Sequence, residues 1–203
     1  MISTFWTLER TARLLPGRWS LRNPPPALLF FTDPIRTPDP EAIARWLPNG
    51  AAIVFRTFGA SDAEAQARRL KAIARARGLI LLIGQDVALA RRVKADGVHL
   101  PERLAHQAAA LRRMRPGWLV TSAAHSLRAA RSSRAAAVVL SPAFASRSAS
   151  AGRPLGPARL SMLVRAAGRP AYALGGISSR TAARLRAAGL VGLAAIEGLA
   201  LRT

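Results

Sequence analysis

From Ala27 onward, short apolar runs alternate with longer Ala/Arg/Leu segments of helical period, and the alternation occurs eight times. The runs are Ala27–Thr32, Ala51–Arg56, Leu79–Ile83, Gly97–Leu100, Trp118–Ser122, Ala136–Leu140, Pro170–Leu174 and Gly192–Ile196. Helices are expected at 39–47, 61–77, 86–94, 102–114, 126–133, 157–167 and 179–188, with a last short one after Glu197. Because the runs are apolar almost throughout, both faces of each strand must be buried, as in a parallel sheet covered by helices. Eight such units predict closure into a (β/α)8 TIM barrel, for which 203 residues is near the lower limit. An open doubly wound sheet is the alternative; it favours a glycine-rich first turn, whereas the first run here ends FFTDP.

Boundary residues follow the same division. Asp39 and Ser61 stand at N-cap positions, with Glu64 completing a capping-box pattern after Ser61. Gly78, Gly117, Gly168 and Gly189 stand where helices should end. Residues 1–26 read as a short N-terminal extension: an amphipathic stretch, Phe5–Leu15, then Pro16–Gly17 and an extended Pro24–Pro25–Pro26 linker. The barrel domain is then 27–203.

Composition narrows the partners. The absence of cysteine excludes disulfides, thiolate metal sites and a cysteine nucleophile. No apolar run is long enough for a membrane helix. The N-terminus carries Glu9, Arg10 and Arg13 and lacks the pattern of a secretory signal. A cytoplasmic protein without a membrane partner is the expectation. The net charge of +21 raises the question of nucleic acid, but only Lys71 and Lys94 are lysines. The arginines are scattered over helices without interleaved aromatics, as Arg68, Arg75, Arg112 and Arg184 illustrate. They read as a solvated coat, with no specific nucleic-acid partner; homodimer assembly is left open.

In a barrel, residues just past each strand converge on one pocket. Those positions hold Asp33, Arg56, Gln85 with Asp86, His99 with Glu102, Ser122 with His125, Ser141 to Ser148, Gly175 with Gly176, and Glu197. The strand middles are apolar, so the polar ends mark a rim site. Gly175–Gly176 precedes a helix beginning near Ser178, a phosphate-binding arrangement in many barrels or simply a tight turn. Ser141–Pro157 is the longest loop after any run and has the Ser/Ala/Gly composition of a lid or of a slack surface loop.

Several motifs resemble the thiamine phosphate synthase/TenI family: LFFTD ending at Asp33, ADGVHL at 95–100, TSAAHS at 121–126, LSPAF at 140–144, ALGGI at 173–177 and GLAAI at 192–196. The resemblance spans Ala27 to Leu199. It implies a β/α barrel acting in thiamine metabolism and binding a thiazole or pyrimidine phosphate at the rim. Synthase members join the two with magnesium and release pyrophosphate; TenI members shift a thiazole tautomer by acid–base chemistry.

The resemblance also locates departures. Of the family's Gln-x-Arg-x-Lys pattern only Arg56 remains, with Val54 and Phe58 beside it. The Asn-Asp after the third strand becomes Gly84–Gln85, leaving Asp86 one place off; a second acidic magnesium ligand falls on Leu104, with Glu102 near. A lid lysine falls on Ala149, two threonines become Ser146 and Ser148, and a phosphate-binding serine becomes Glu197. Asp33, Arg56, His99, Ser146, Ser148, Gly175, Gly176 and Glu197 are therefore the candidate ligand-binding residues, and Ser122 with His125 the candidate catalytic ones. Histidine suits acid–base work because it ordinarily titrates near neutrality. Asp86 and Glu102 are the only candidate metal ligands, and magnesium is expected only if synthase chemistry is retained. A non-catalytic ligand-binding or regulatory barrel is the alternative.

Overall fold

A computed structural model describes residues 2–15, 25–146 and 152–199. Its strands are β1 (Leu28–Phe31), β2 (Ala52–Phe55), β3 (Ile80–Gly84), β4 (Gly97–Leu100), β5 (Leu119–Ala124), β6 (Ala137–Leu140), β7 (Ala171–Ala173) and β8 (Gly192–Ala195). Each pairs in parallel with the next, and β8 pairs with β1, so the sheet closes in sequence order. The fold is a (β/α)8 TIM barrel. The connecting helices are α2 (Pro40–Trp46), α3 (Ala63–Arg77), α4 (Val87–Arg92), α5 (Ala108–Met114), α6 (Leu127–Ser132), α7 (Gly156–Ala167) and α8 (Ser179–Ala182).

Strand alternation sorts the apolar residues into two groups. Leu29, Phe31, Ala52, Val54, Leu82, Ala137, Val139, Tyr172 and Ala194 pack together inside the barrel. Their neighbours, such as Phe30, Ile53, Leu81, Val98, Val120 and Leu140, pack against the helices. Tyr172 is fully buried and donates its hydroxyl to the Pro26 carbonyl at 2.7 Å, which plugs the end of the barrel where the strands begin. Gly192 makes room for that ring, since a Cβ there would meet Tyr172 Cε1 at 2.6 Å.

Helix ends follow local chemistry. Asp39 caps α2 by accepting the Ala42 N–H at 2.9 Å, and Gly78 and Gly168 end α3 and α7 in the left-handed region. The capping box expected at Ser61 does not form. The helix starts two residues later, with Asp62 at the cap position, and Glu64 is instead drawn to Arg68 at 2.6 Å and Arg92 at 2.8 Å.

The N-terminal segment folds as α1 (Ile2–Arg13) and packs on β8, β1, α8 and the turn Glu197–Leu199 that follows β8. It covers the face of β8 and β1 that a helix after the eighth strand covers in a regular barrel. Leu8 and Ala12 are buried there within the main core. Most of the expected proline-rich linker lies outside the described residues. Truncation of a fully buried leucine leaves a cavity, so Leu8→Ala is expected to lower unfolding stability by about 2–5 kcal/mol. Urea denaturation read by circular dichroism checks this; an unchanged midpoint would mean that α1 does not belong to the cooperative unit.

Candidate functional site

Asp33 organises the rim at β1. It stands two residues past the strand, and its carboxylate accepts the N–H groups of Ile35 at 3.1 Å and Arg36 at 3.0 Å, folding the loop back on itself. The same carboxylate accepts from the side chains of Arg36 at 2.7 Å and Arg56 at 3.3 Å. Burial alone would raise its pKa; the hydrogen bonds and charge of Arg36 outweigh burial and hold it at about 2. Arg56 is fixed further by donating Nε to the Thr32 carbonyl at 2.8 Å, and its guanidinium lies 4.8 Å from the Phe58 ring centre. Burial, assisted by the charge of Arg36 and opposed by Asp33, lowers the Arg56 pKa to about 10, so the group stays cationic at neutral pH. Glu197 meets Arg36 Nε at 3.8 Å across from Asp33. The carboxylate at the eighth strand is therefore paired with an arginine.

Two histidines stand in different states. His99 is buried, bonded through Nδ1 to Thr121 Oγ1 at 2.9 Å and packed edge-to-face on Phe31. Burial first, and then the charge of Arg56, pushes its pKa down to about 3, so it is a neutral imidazole in the working range. His125 is exposed at the rim. Its backbone N–H donates to Glu102 Oε2 at 2.6 Å, and its Nδ1 lies 3.2 Å from the Ser141 carbonyl and 3.3 Å from the Ser141 hydroxyl. With Nδ1 turned to Ser141, Nε2 has no hydrogen-bond partner among the described residues.

Between them lies a cavity of about 680 Å³, lined by Phe31, Arg36, Arg56, Phe58, Gln85, His99, His125, Ser141, Ser146, Arg153, Leu174 and Gly175 among others. A smaller cavity of about 210 Å³ adjoins it, lined by Arg36, Ser146, Gly175, Gly176, Ser178 and Glu197. Arg36, Ser146 and Gly175 border both. Gly175 and Gly176 have φ of 98° and 62°, and a Cβ on Gly176 would run into the Ala145 carbonyl and Phe144. Glycine is needed at 176 so that this turn can pack under the loop after β6.

Asp33, Arg56, His99, His125, Ser146, Gly175, Gly176 and Glu197 are thus gathered at one rim; Ser148 lies outside the described residues. Ser122 is placed elsewhere. β5 continues to Ala124, so Ser122 falls within the strand, fully buried, with its hydroxyl 2.8 Å from Ser133 Oγ in the layer between sheet and helices. Its neighbour Thr121 faces inward to His99, and Ser122 has no access to the pocket. Asp86 caps α4 by accepting the Leu89 N–H at 2.8 Å and does not line either cavity, while Glu102 is engaged by His125 N–H. Among the described residues no group of three His, Cys, Asp or Glu side chains is placed to hold a metal. Arg36, Arg153 and Thr121 are the site residues that sequence reasoning missed. Of these only Arg36 carried a local signal, three residues after an aspartate in a turn.

Comparison with known proteins gives this rim its relatives. Residues 28–199 match the sequence model of the family described as Thiamine monophosphate synthase (TMP-TENI). The chain belongs to this family. It is 36% identical over 141 residues to a thiamine-phosphate synthase of Chromobacterium violaceum, covering 66% of each chain. It is 34% identical over 115 residues to a putative thiamine-phosphate synthase 2 of Aquifex aeolicus, covering 55% of this chain and 61% of the relative. The matched stretch thus spans somewhat less than two thirds of these relatives' length. A solved structure of a thiamine phosphate pyrophosphorylase from Pyrococcus furiosus superposes with a TM-score of 0.71 at 22% identity, over 85% of this chain and 86% of that one. An aldolase superposes with a TM-score of 0.62 at 11% identity. At those identities the superpositions show the fold alone. No helix among the described residues is long and apolar enough to cross a membrane.

The neutral, buried His99 of this family barrel has a stability consequence. Its folded pKa of about 3 lies below the ordinary 6.5, so the unfolded chain binds the proton first as pH falls. Its contribution is full above pH 6.5 and is lost progressively as pH drops toward 3. Between pH 7 and 5 that loss amounts to about 2 kcal/mol. Thermal melts over this range are expected to show a falling midpoint in the wild type and a flatter dependence in His99→Gln; equal slopes would assign the effect to other groups.

Proposed function

We propose that this protein acts on a thiazole phosphate in thiamine metabolism by moving a proton on the bound ring, with His125 as the acid–base group. The observation that carries the reading is the pairing of His125 Nδ1 with Ser141, which leaves Nε2 at the cavity wall without a competing bond among the described residues. The ring would lie between Phe31, Phe58 and the Gly175 turn, and its phosphate in the adjoining cavity, where Arg36 and Ser146 supply donors. Positive character toward an anion comes from Arg36 and Arg56 sharing the one carboxylate of Asp33, with Glu197 3.8 Å from Arg36. The neutral His99 forms part of the wall without adding a second charge. Proton abstraction at one ring position and return at another conserves all atoms and requires one group of near-neutral affinity in reach of both.

Relatives named thiamine-phosphate synthase suggest the alternative chemistry, condensation with loss of pyrophosphate. The residues of this chain do not fit the magnesium that such chemistry uses. Hard divalent cations take carboxylate and carbonyl oxygens. The positions corresponding to the family's ligands hold Gln85, whose Oε1 accepts from Arg103 at 2.8 Å, and Leu104. The nearby carboxylates, Asp86 and Glu102, are committed to backbone N–H groups. One lysine of the family pattern is replaced by Phe58, and that of the lid by Ala149, which lies outside the described residues. No step through the metal is therefore derived.

Solvent-deuterium incorporation into a thiazole phosphate, followed by proton NMR, tests the proposal. The wild type is expected to catalyse exchange, and His125→Gln to lose about 10²-fold or more while still binding the ligand in calorimetry. Binding without exchange by the wild type would favour a regulatory or ligand-holding barrel. Magnesium-dependent pyrophosphate release in the ordinary enzymatic range would overturn the proposal in favour of the synthase reaction.

A further inference from the structure

The charges of this chain divide unevenly. Residues 1–102 carry nine of the ten carboxylates, and residues 103–196 carry fifteen arginines and no aspartate or glutamate. The second half of the barrel, from α5 through α8, therefore has no carboxylate except Glu197 at the rim. Helices of the first half are partly neutralised: Arg68, Arg69, Arg92 and Lys71 are each paired with Glu64, Glu41 or Asp96.

At the end of the barrel opposite the rim, this imbalance becomes local. The turn from α6 into β6 carries Arg131 and Arg134, both exposed. Arg112, from α5, reaches over to donate to the Arg134 carbonyl at 3.0 Å. Arg169, from the turn between α7 and β7, donates to the Arg131 carbonyl at 3.3 Å. Arg112 and Arg169 thus converge from neighbouring helix–strand units on the segment that carries Arg131 and Arg134, and among the described residues none of the four has an ion-pair partner. Burial, with the charges of Arg134 and Arg112 adding to it, lowers the affinity of Arg169 for its proton. Arg115, just beyond α5, lies over the Trp118 ring, 5.6 Å from its centre.

Helix C-termini favour cations, and that accounts for one N–H of Arg112 and one of Arg169. It does not account for the remaining donors or for the absence of any counter-charge across half the barrel. We infer that this arginine cluster, centred on Arg112, Arg131, Arg134 and Arg169, is a docking surface for the sugar–phosphate backbone of nucleic acid, read without regard to base sequence. Three observations favour that partner. The cations are arginines, whose planar fork matches phosphate oxygens. They are spread over three units, as an extended polyanion requires and a single small anion does not. An anionic bilayer would call for apolar side chains to insert, and among the described residues of α5, α6 and the turns that follow them Met114 is the one exposed large apolar side chain.

Fluorescence anisotropy with labelled 20-nucleotide single strands of two unrelated sequences, titrated with the whole protein at several salt concentrations, tests the inference. Both sequences are expected to bind alike. The triple variant Arg112→Gln/Arg134→Gln/Arg169→Gln should weaken binding at low salt on the order of tenfold and reduce the salt slope by about 2. A control variant of equal charge change, Arg75→Gln/Arg77→Gln/Arg91→Gln, removes three exposed arginines from α3 and α4 and should lose much less. Thermal melts of both variants show that each is folded, and the single variant Arg134→Gln, which removes only an exposed side chain, repeats the test if the triple is unstable. Equal losses in cluster and control variants would reduce the effect to net charge and overturn the inference. So would a marked preference for one sequence, or failure to bind either strand at low salt while vesicles containing anionic lipid are bound.

Discussion

Closure of the eight-stranded sheet decides which side chains can do chemistry. In a closed parallel barrel every second residue of each strand points inward, and the interior is too narrow for anything but packed side chains. Leu29, Ala52, Leu82, Ala137 and Tyr172 fill its lower layers, with the Tyr172 hydroxyl satisfied by the Pro26 carbonyl. Polar groups are excluded from those layers because an unpaired one would cost about 1–3 kcal/mol. Only the last inward position of a strand and the loop beyond it are free to hold charge. His99 and Thr121 mark that transition: they are buried inward-facing polar residues joined by a 2.9 Å hydrogen bond.

Above that layer the site is a problem of charge balance. Two carboxylates, Asp33 and Glu197, stand against Arg36, Arg56 and Arg153 around adjoining cavities. Asp33 binds both Arg36 and Arg56, which turns two mobile cations into fixed ones. Fixed cations beside a glycine turn suit a phosphate monoester. They do not replace a metal for a departing diphosphate, whose charge must be met by oxygen-ligated cations already in place. The tautomerase-type reading and the arrangement of the rim are consistent on this point.

The architecture was legible because the apolar runs repeat, and a pattern that recurs eight times tolerates errors of a residue or two at each boundary. Site residues are less forgiving. The fifth run is expected to end at Ser122, whereas β5 runs on to Ala124, so Ser122 stands inside a strand whose residues alternate between the pocket and the helices. Thr121 faces inward and Ser122 faces Ser133 for that reason. Arg36 was missed because its position depends on how the loop after Asp33 folds, and Arg153 because it comes from the far side of a long loop. His125 was legible from its place just past the fifth run and from its motif, but nothing in spacing tells that Glu102 would hold its backbone and Ser141 its ring. Asp86 illustrates the converse. A carboxylate at a strand end looks available for a metal until the following helix takes it as a cap.

The central claim is that this rim recognises a phosphorylated ring through its own arginines and without magnesium. Calorimetric titration of a thiazole phosphate into the wild-type protein, once with excess chelator and once with millimolar magnesium, addresses it most directly. The account predicts dissociation constants that agree within about twofold, since a tenfold change corresponds to about 1.4 kcal/mol and no such contribution from the metal is built into the site. Binding that appears only with magnesium, or that tightens tenfold or more in its presence, would contradict it.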